Sequence, residues 1–316
     1  MPSNISVTDP IARAEKWTRH VLFRPFNATK WFALGFCAWI AGLGGSGGSG
    51  GPQRFGNGFN SAGEHGEEMR EVFEKSLEWL LENLTMVVSV GAFFILLTAS
   101  LWVLMIWISS RGKFMFLDNV VRDMAEIKEP WNEFMAEGNS LTVFRLCFGL
   151  AAFGTFLLVG ALALLPFLTS IQAGRFLPLG FVGIFWAVLL FFLWILALGV
   201  AASFLDDFVV VIMYIRRCSC MDAWREFLPW AKAYVGQFVL FYLFKIVLGI
   251  GIGIVALLVM LCTCCIAALP YIGTVILLPI AVFMRSYTLS YFAQYHPDYD
   301  LLRGDRPPPL ASASEV

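Results

Sequence analysis

Six long apolar stretches alternate with charged segments along this chain, and that alternation predicts an all-α protein. They lie near Trp31–Gly45, Leu84–Ser110, Leu146–Leu168, Leu177–Leu205, Gln237–Ala267 and Tyr271–Phe292. Leu84–Ser110 runs 27 residues without a charge, and about 20 apolar residues span a bilayer core. An unpaired peptide group is costly in lipid, so each stretch is expected to be helical. The pattern therefore predicts a polytopic helical membrane protein of about six transmembrane helices, with interfacial amphipathic elbow helices between them. The first stretch is the shortest. Trp31–Leu43 holds 13 residues, about 20 Å of helix, and it spans only if its flanks extend it or the bilayer thins. Pro279 falls inside the sixth stretch and predicts a kink there.

Between the stretches, the polar positions keep a helical period. Leu117, Val120, Val121, Met124, Ile127, Trp131 and Phe134 share one face, interrupted by Pro130, while Asp118, Arg122, Asp123, Glu126 and Glu129 occupy the other. Such a segment suits the cytoplasmic headgroup layer, with Trp17, Trp131 and Trp224 as interfacial anchors. Phe116-Leu117-Asp118 followed by Trp131-Asn132-Glu133-Phe134 recurs as Phe204-Leu205-Asp206 followed by Trp224-Arg225-Glu226-Phe227. That recurrence predicts a parallel internal repeat, with a weaker copy around Trp17. Chance likeness between apolar-biased segments is the alternative.

Residues 1–30 read as a cytoplasmic amphipathic segment, 31–292 as the membrane domain, and 293–316 as a cytoplasmic tail, disordered by composition. Within the membrane domain, 44–83 forms an external region: a glycine-rich tether, then an acidic amphipathic helix carrying Glu67, Glu71, Glu74 and Glu78.

Composition agrees with the class: 59% of residues are hydrophobic and 14% charged. The basic residues orient the chain. Seventeen Lys and Arg fall on the side shared by both termini and four on the other, which places both termini in the cytoplasm and the protein in a plasma membrane. No P-loop, dinucleotide fingerprint, zinc-protease or nucleophile-elbow motif is present. No cofactor, metal, catalytic residue or nucleic-acid partner is therefore expected. The seven cysteines read as small packing residues, and Gly249, Gly251 and Gly253 as a place of close helix contact.

Ionisable residues in or beside a span are the default functional suspects. Lys245 either snorkels to the cytoplasmic face or pairs with Asp206 or Asp207. Arg285 binds headgroups or anchors the sixth span; Asp206, Asp207 and Asp118 mark span ends or hold a cation or proton path.

The blocks RPFNATKWFALGF (Arg24–Phe36), SRGKFMFLDNVV (Ser110–Val121), DDFVVVIMYIRRCSCMDAWREF (Asp206–Phe227) and CCIAALPYIGTVILLP (Cys264–Pro279) resemble an uncharacterised family of bacterial six-span membrane proteins. More distantly, the second half is similar to the non-catalytic membrane domains found beside glycerophosphodiester phosphodiesterases. The resemblance implies a fold and a bacterial inner membrane, and transfers no activity. Two functions stay open: a non-enzymatic scaffold, regulator or complex subunit, and a transporter or channel for a lipid or small amphiphile. Expected partners are membrane lipids, and a protein bound through the acidic helix or the elbows. No oligomeric state follows.

Overall fold

The computed structural model describes residues 5–43, 83–172, 178–263 and 269–302; within these, the side chains of 162–172, 178–184, 187 and 270 are left aside. The tether and acidic helix expected at 44–83 thus fall almost wholly outside the described residues, as does the tail beyond Leu302. Helices make up the fold, and no strand occurs among the described residues. In order they are α1 (Asp9–Phe23), α2 (Ala28–Gly42), α3 (Leu84–Arg122), α4 (Lys128–Glu133), α5 (Met135–Gln172) and α6 (Pro178–Phe204). A π-turn (Leu205–Val209) leads into α7 (Val210–Arg216), followed by α8 (Cys220–Ala233), α9 (Val235–Cys262), α10 (Pro270–Ile276), α11 (Leu278–Phe292) and a 3₁₀ turn at Pro297–Tyr299.

The chain forms two compact units, Pro52–Met105 and the remainder. The described part of the first is the beginning of α3, where Phe93, Ile95 and Leu96 are exposed.

Among the described residues, four helical stretches are long and apolar enough to cross a membrane: Leu84–Arg122, Met135–Ala161, Val188–Arg216 and Val235–Cys262. They correspond to the second through fifth apolar stretches. The first and sixth differ. α2 is 15 residues long, about 22 Å, and buries Leu34, Gly35, Cys37, Ala38 and Ile40. The sixth stretch is broken at Leu277 into α10 and α11, with Pro279 in the first turn of α11, where its missing N–H costs least. α2 packs on both α10 and α11, and Tyr271 donates to the Phe32 carbonyl at 3.0 Å. Close packing here depends on glycine. A Cβ on Gly35 would stand 2.5 Å from Val275 Cγ2, and one on Gly112 of α3 would stand 2.4 Å from Ile40 Cγ2.

The expected elbow beginning at Leu117 is part of α3, which runs unbroken through Arg111, Lys113 and Asp118. After α6, the helical path likewise continues through the π-turn into α7. Charges that read as span ends did not end the helices, because partners on other helices satisfy them. Pro130 sits in the six-residue α4 and is buried.

Burial changes sharply along these helices. On α5, α6 and α9, residues such as Leu150, Phe153, Phe192, Leu196, Ile250, Ile254 and Leu258 are exposed. That band is far larger than a water-facing surface tolerates, and it suits lipid. Toward the other end, Phe114 and Leu117 of α3, Leu141 of α5, and every residue from Leu205 to Tyr214 are buried. They share a core with Phe227 of α8, Phe238 and Phe241 of α9, and Tyr287, Tyr291 and Phe292 of α11. α1 joins this core by packing along α11. Tyr287 donates to the Val7 carbonyl at 3.0 Å, and Arg13 pairs with Asp300 at 2.5 Å. Residues beyond 292 belong here too: Tyr295, Tyr299, Leu301 and Leu302 are buried. Within the larger unit, exposed apolar helix surface thus gives way to a compact aromatic cap.

Candidate functional site

A layer of buried charge lies where the two regimes meet. Its centre is the π-turn, in which the wider helical loop brings two consecutive carboxylates, Asp206 and Asp207, into the protein interior with 5% and 6% of their surface exposed. Lys113 of α3 pairs with Asp206 Oδ1, and Arg145 of α5 donates to the same oxygen at 2.8 Å. Lys245 of α9 lies 2.7 and 2.6 Å from the two Asp207 oxygens. Tyr242, one helical turn earlier, donates to Asp207 at 3.1 Å. Arg285 of α11 donates to the backbone carbonyl of Asp206 at 2.9 Å. Carbonyl groups loosened in a π-turn are natural acceptors for such a donor.

Five helical segments thus contribute to one node. Its members sit at a common height, seven to ten residues from the cap-side ends of their helices, or about 10–15 Å. Of the residues expected from the sequence, the node unites Lys245, Asp206, Asp207 and Arg285. Lys245 takes Asp207 as its partner.

Asp118 belongs to a second cluster nearer the helix ends. It accepts from Tyr214 at 2.8 Å and pairs with Arg122 at 2.9 Å. Arg122 reaches Glu133 at 3.1 Å, and Glu133 in turn pairs with Arg217, whose guanidinium lies 3.9 Å above the Phe134 ring. Arg217 has φ 51° and ends α7 in the left-handed conformation, so this cluster also fixes a chain reversal.

The three tryptophans pack on protein. Trp17 donates to the Val120 carbonyl at 3.0 Å. Trp131 meets Trp107 edge-on at 5.8 Å and lies under Arg111 at 5.2 Å. Trp224 stacks on Phe144 and is half-buried.

Sequence reasoning missed Lys113, Arg145 and Tyr242. Lys113 and Arg145 are among the seventeen basic residues that orient the chain; their placement between apolar residues at helical spacing was the available signal. At Gly249, Gly251 and Gly253 of α9, where close helix contact was expected, a Cβ meets nothing within 4 Å among the described residues. The structure reports one side of that helix as open surface.

Chemically, the node offers paired charges and donors. Among the described residues, no three His, Cys, Asp or Glu side chains are placed to hold a metal ion. Outside the spans, burial pushes the Cys220 thiol up to about 12 and raises Cys218. The Cys220 thiol is therefore protonated at neutral pH and a poor nucleophile. Burial and the hydrogen bond to Glu226 also raise the Tyr299 hydroxyl, which stays a donor to Glu226 at 2.8 Å.

No curated protein and no solved structure matches the chain. Residues 5–278 match the model of a family of unknown function, DUF7544. That match takes in the Asp118 cluster, the charged layer except Arg285, and the cap helix α1; the chain belongs to this family.

Proposed function

We propose that the protein is a multi-pass component of a bacterial inner membrane, with both termini cytoplasmic, acting as a non-enzymatic scaffold, regulator or complex subunit. One observation carries this reading: buried ion pairs join α3, α5 and α9 to the π-turn, and Arg285 of α11 bonds its backbone, which clasps the bundle beneath a folded cap. A transport path needs polar groups that can exchange partners around a passage; here Lys113, Arg145 and Lys245 are each held in an ion pair with Asp206 or Asp207. The cap, with α8 and α1 on its outside, supplies the surface for a partner. The resemblance to non-catalytic membrane domains points the same way.

In this reading the short helices α2 and α10–α11 complete a six-segment membrane domain, kept thin on one side by their length. Phe116-Leu117-Asp118 and Phe204-Leu205-Asp206 both lie near the cap-side ends of long helical paths, which supports a parallel repeat. The excess of Lys and Arg at that end supports its cytoplasmic placement.

A transporter for a lipid or small amphiphile is the second reading, favoured by the π-turn with Asp206 and Asp207, since π-turns frequently mark functional sites. Purification from native membranes with bound lipid, followed by mass spectrometry, tests the first reading. A stoichiometric protein partner is the expected result. Retention of one lipid or metabolite with no protein would reject the scaffold role in favour of transport.

A further inference from the structure

Arg285 stands apart from the other cations of the charged layer. Lys113 and Arg145 face Asp206, and Lys245 faces Asp207. Among the described residues, no carboxylate forms an ion pair with the Arg285 guanidinium, and Asp207 and Asp206 act on it only through space. Its hydrogen bond goes to the Asp206 backbone carbonyl, while its Nε is buried without an acceptor. A guanidinium presents five N–H donors in a planar fork matched to a carboxylate or phosphate. Taking such a cation out of water is costly unless an anion neutralises it.

Its surroundings define where that anion comes from. On the cap side of Arg285, every residue from Ser286 to Phe292 is buried. Lys245 marks the same height on α9, and its neighbours Leu243, Ile246 and Val247 are 58%, 60% and 60% exposed. Val235, Val239 and Leu240, on the cap side of Lys245, are exposed as well; in the membrane placement proposed above, the layer lies alongside this apolar surface near the headgroup level. Arg285 itself is half-buried rather than sealed, so it remains within reach from that boundary.

We infer that Arg285 binds the phosphate of an anionic ligand at the membrane surface, the charged layer orienting its guanidinium. A phospholipid headgroup and a soluble phosphate offer the same chemistry. The inference rests on the membrane placement proposed above. Arg285 holds its place through the Asp206 carbonyl and directs its remaining donors to the phosphate oxygens. In this view the π-turn does two jobs: its carboxylates clasp the bundle and its carbonyl aims a cation.

The test uses the purified full-length chain in a neutral detergent. Its thermal unfolding midpoint is followed during titration with phosphatidylglycerol, with phosphatidylcholine, or with inorganic phosphate. Phosphatidylglycerol should raise the midpoint at concentrations where phosphatidylcholine does not. Arg285→Gln should weaken that response by about tenfold, equivalent to about 1.4 kcal/mol, while Arg285→Lys keeps most of it. A response to inorganic phosphate that blocks the lipid effect would support the site with a soluble source; a response to lipid alone supports it with the headgroup. Equal effects of the two lipids with no phosphate response would overturn the site, and need no folded variant to be read. So would an unchanged phosphatidylglycerol response in a folded Arg285→Gln chain. Membrane orientation is measured separately, by impermeant labelling of Cys218 in intact and opened cells, so failure of phosphate binding leaves that question independent.

Discussion

At the scale of single residues, the buried carboxylates are unequal. Asp206 faces two cations and Asp207 one, with a tyrosine in support. Removing one partner of a buried pair leaves charge without compensation and costs about 3–5 kcal/mol. Asp206→Asn should therefore cost that much in a reversible denaturation assay, and more than Asp207→Asn. Tyr242→Phe removes one neutral donor and should cost about 1 kcal/mol. Replacing Asp207 and Lys245 together by Leu and Met should recover most of the loss seen in either single variant, because apolar pairs of similar volume often match a buried ion pair. A double variant as unstable as the sum of the singles would contradict the clasp.

Cys220 gives a pH test with a definite sign. Its native thiol holds its proton to about 12, against an ordinary value of 9.0. Above pH 9 the unfolded chain loses that proton and the native chain keeps it, so the contribution of this group to stability falls as pH rises between the two values. Below pH 9 it is constant. At pH 8, iodoacetamide should leave Cys220 unmodified until denaturant is added, as peptide mass mapping would show. The sequence offered Asp206 and Asp207 as partners for Lys245 beside snorkelling, because these charges interrupt apolar runs; the choice of Asp207 needed the structure. Lys113 and Arg145 were not legible, because a cation at a helix end and one buried in a charged layer look alike until the partner helix is placed.

At the scale of elements, glycines on different helices should behave oppositely. Gly112→Ala drives a Cβ to 2.4 Å from Ile40 Cγ2 and 2.8 Å from the Ala41 nitrogen. α2 must move, at a cost of about 1–3 kcal/mol. Gly251→Ala meets nothing within 4 Å and should stabilise α9 by about 0.5–1 kcal/mol in the same denaturation assay. Among the described residues, the glycines of α9 thus meet no helix, although their composition in a span resembled a contact site. Helix identity was legible from apolar length and period alone. Helix ends were not: α3 continues past Arg111, Lys113 and Asp118, and α7 past the two aspartates, because cross-helix partners replace the water those side chains would otherwise need. The break at Leu277 was foreshadowed by Pro279, whereas the π-turn left no local signal.

At the scale of the whole molecule, the account rests on a division between a lipid-facing band and a folded cap, with the charged layer at the boundary. Hydropathy made the band legible. The cap was not, since its helices α1 and α8 are amphipathic and read as interfacial; their apolar faces instead meet a core assembled from α3, α7, α9 and α11. Residues 295–302 were grouped with a polar tail, yet the stacking of Tyr299 on Phe292, at 4.3 Å between ring centres, binds that segment to the core. The division is tested most directly by a spin-label scan of exposed positions along α9, from Val239 through Leu243, Ile246, Ile250, Ile254 and Leu258 to Leu261, in reconstituted bilayers. The account predicts that a water-soluble nickel relaxant reaches Val239 but not Ile250 or Ile254, that oxygen shows the reverse preference, and that the crossover falls near Lys245. Free access of the nickel reagent to Ile250 and Ile254 would place that band in water and contradict the account.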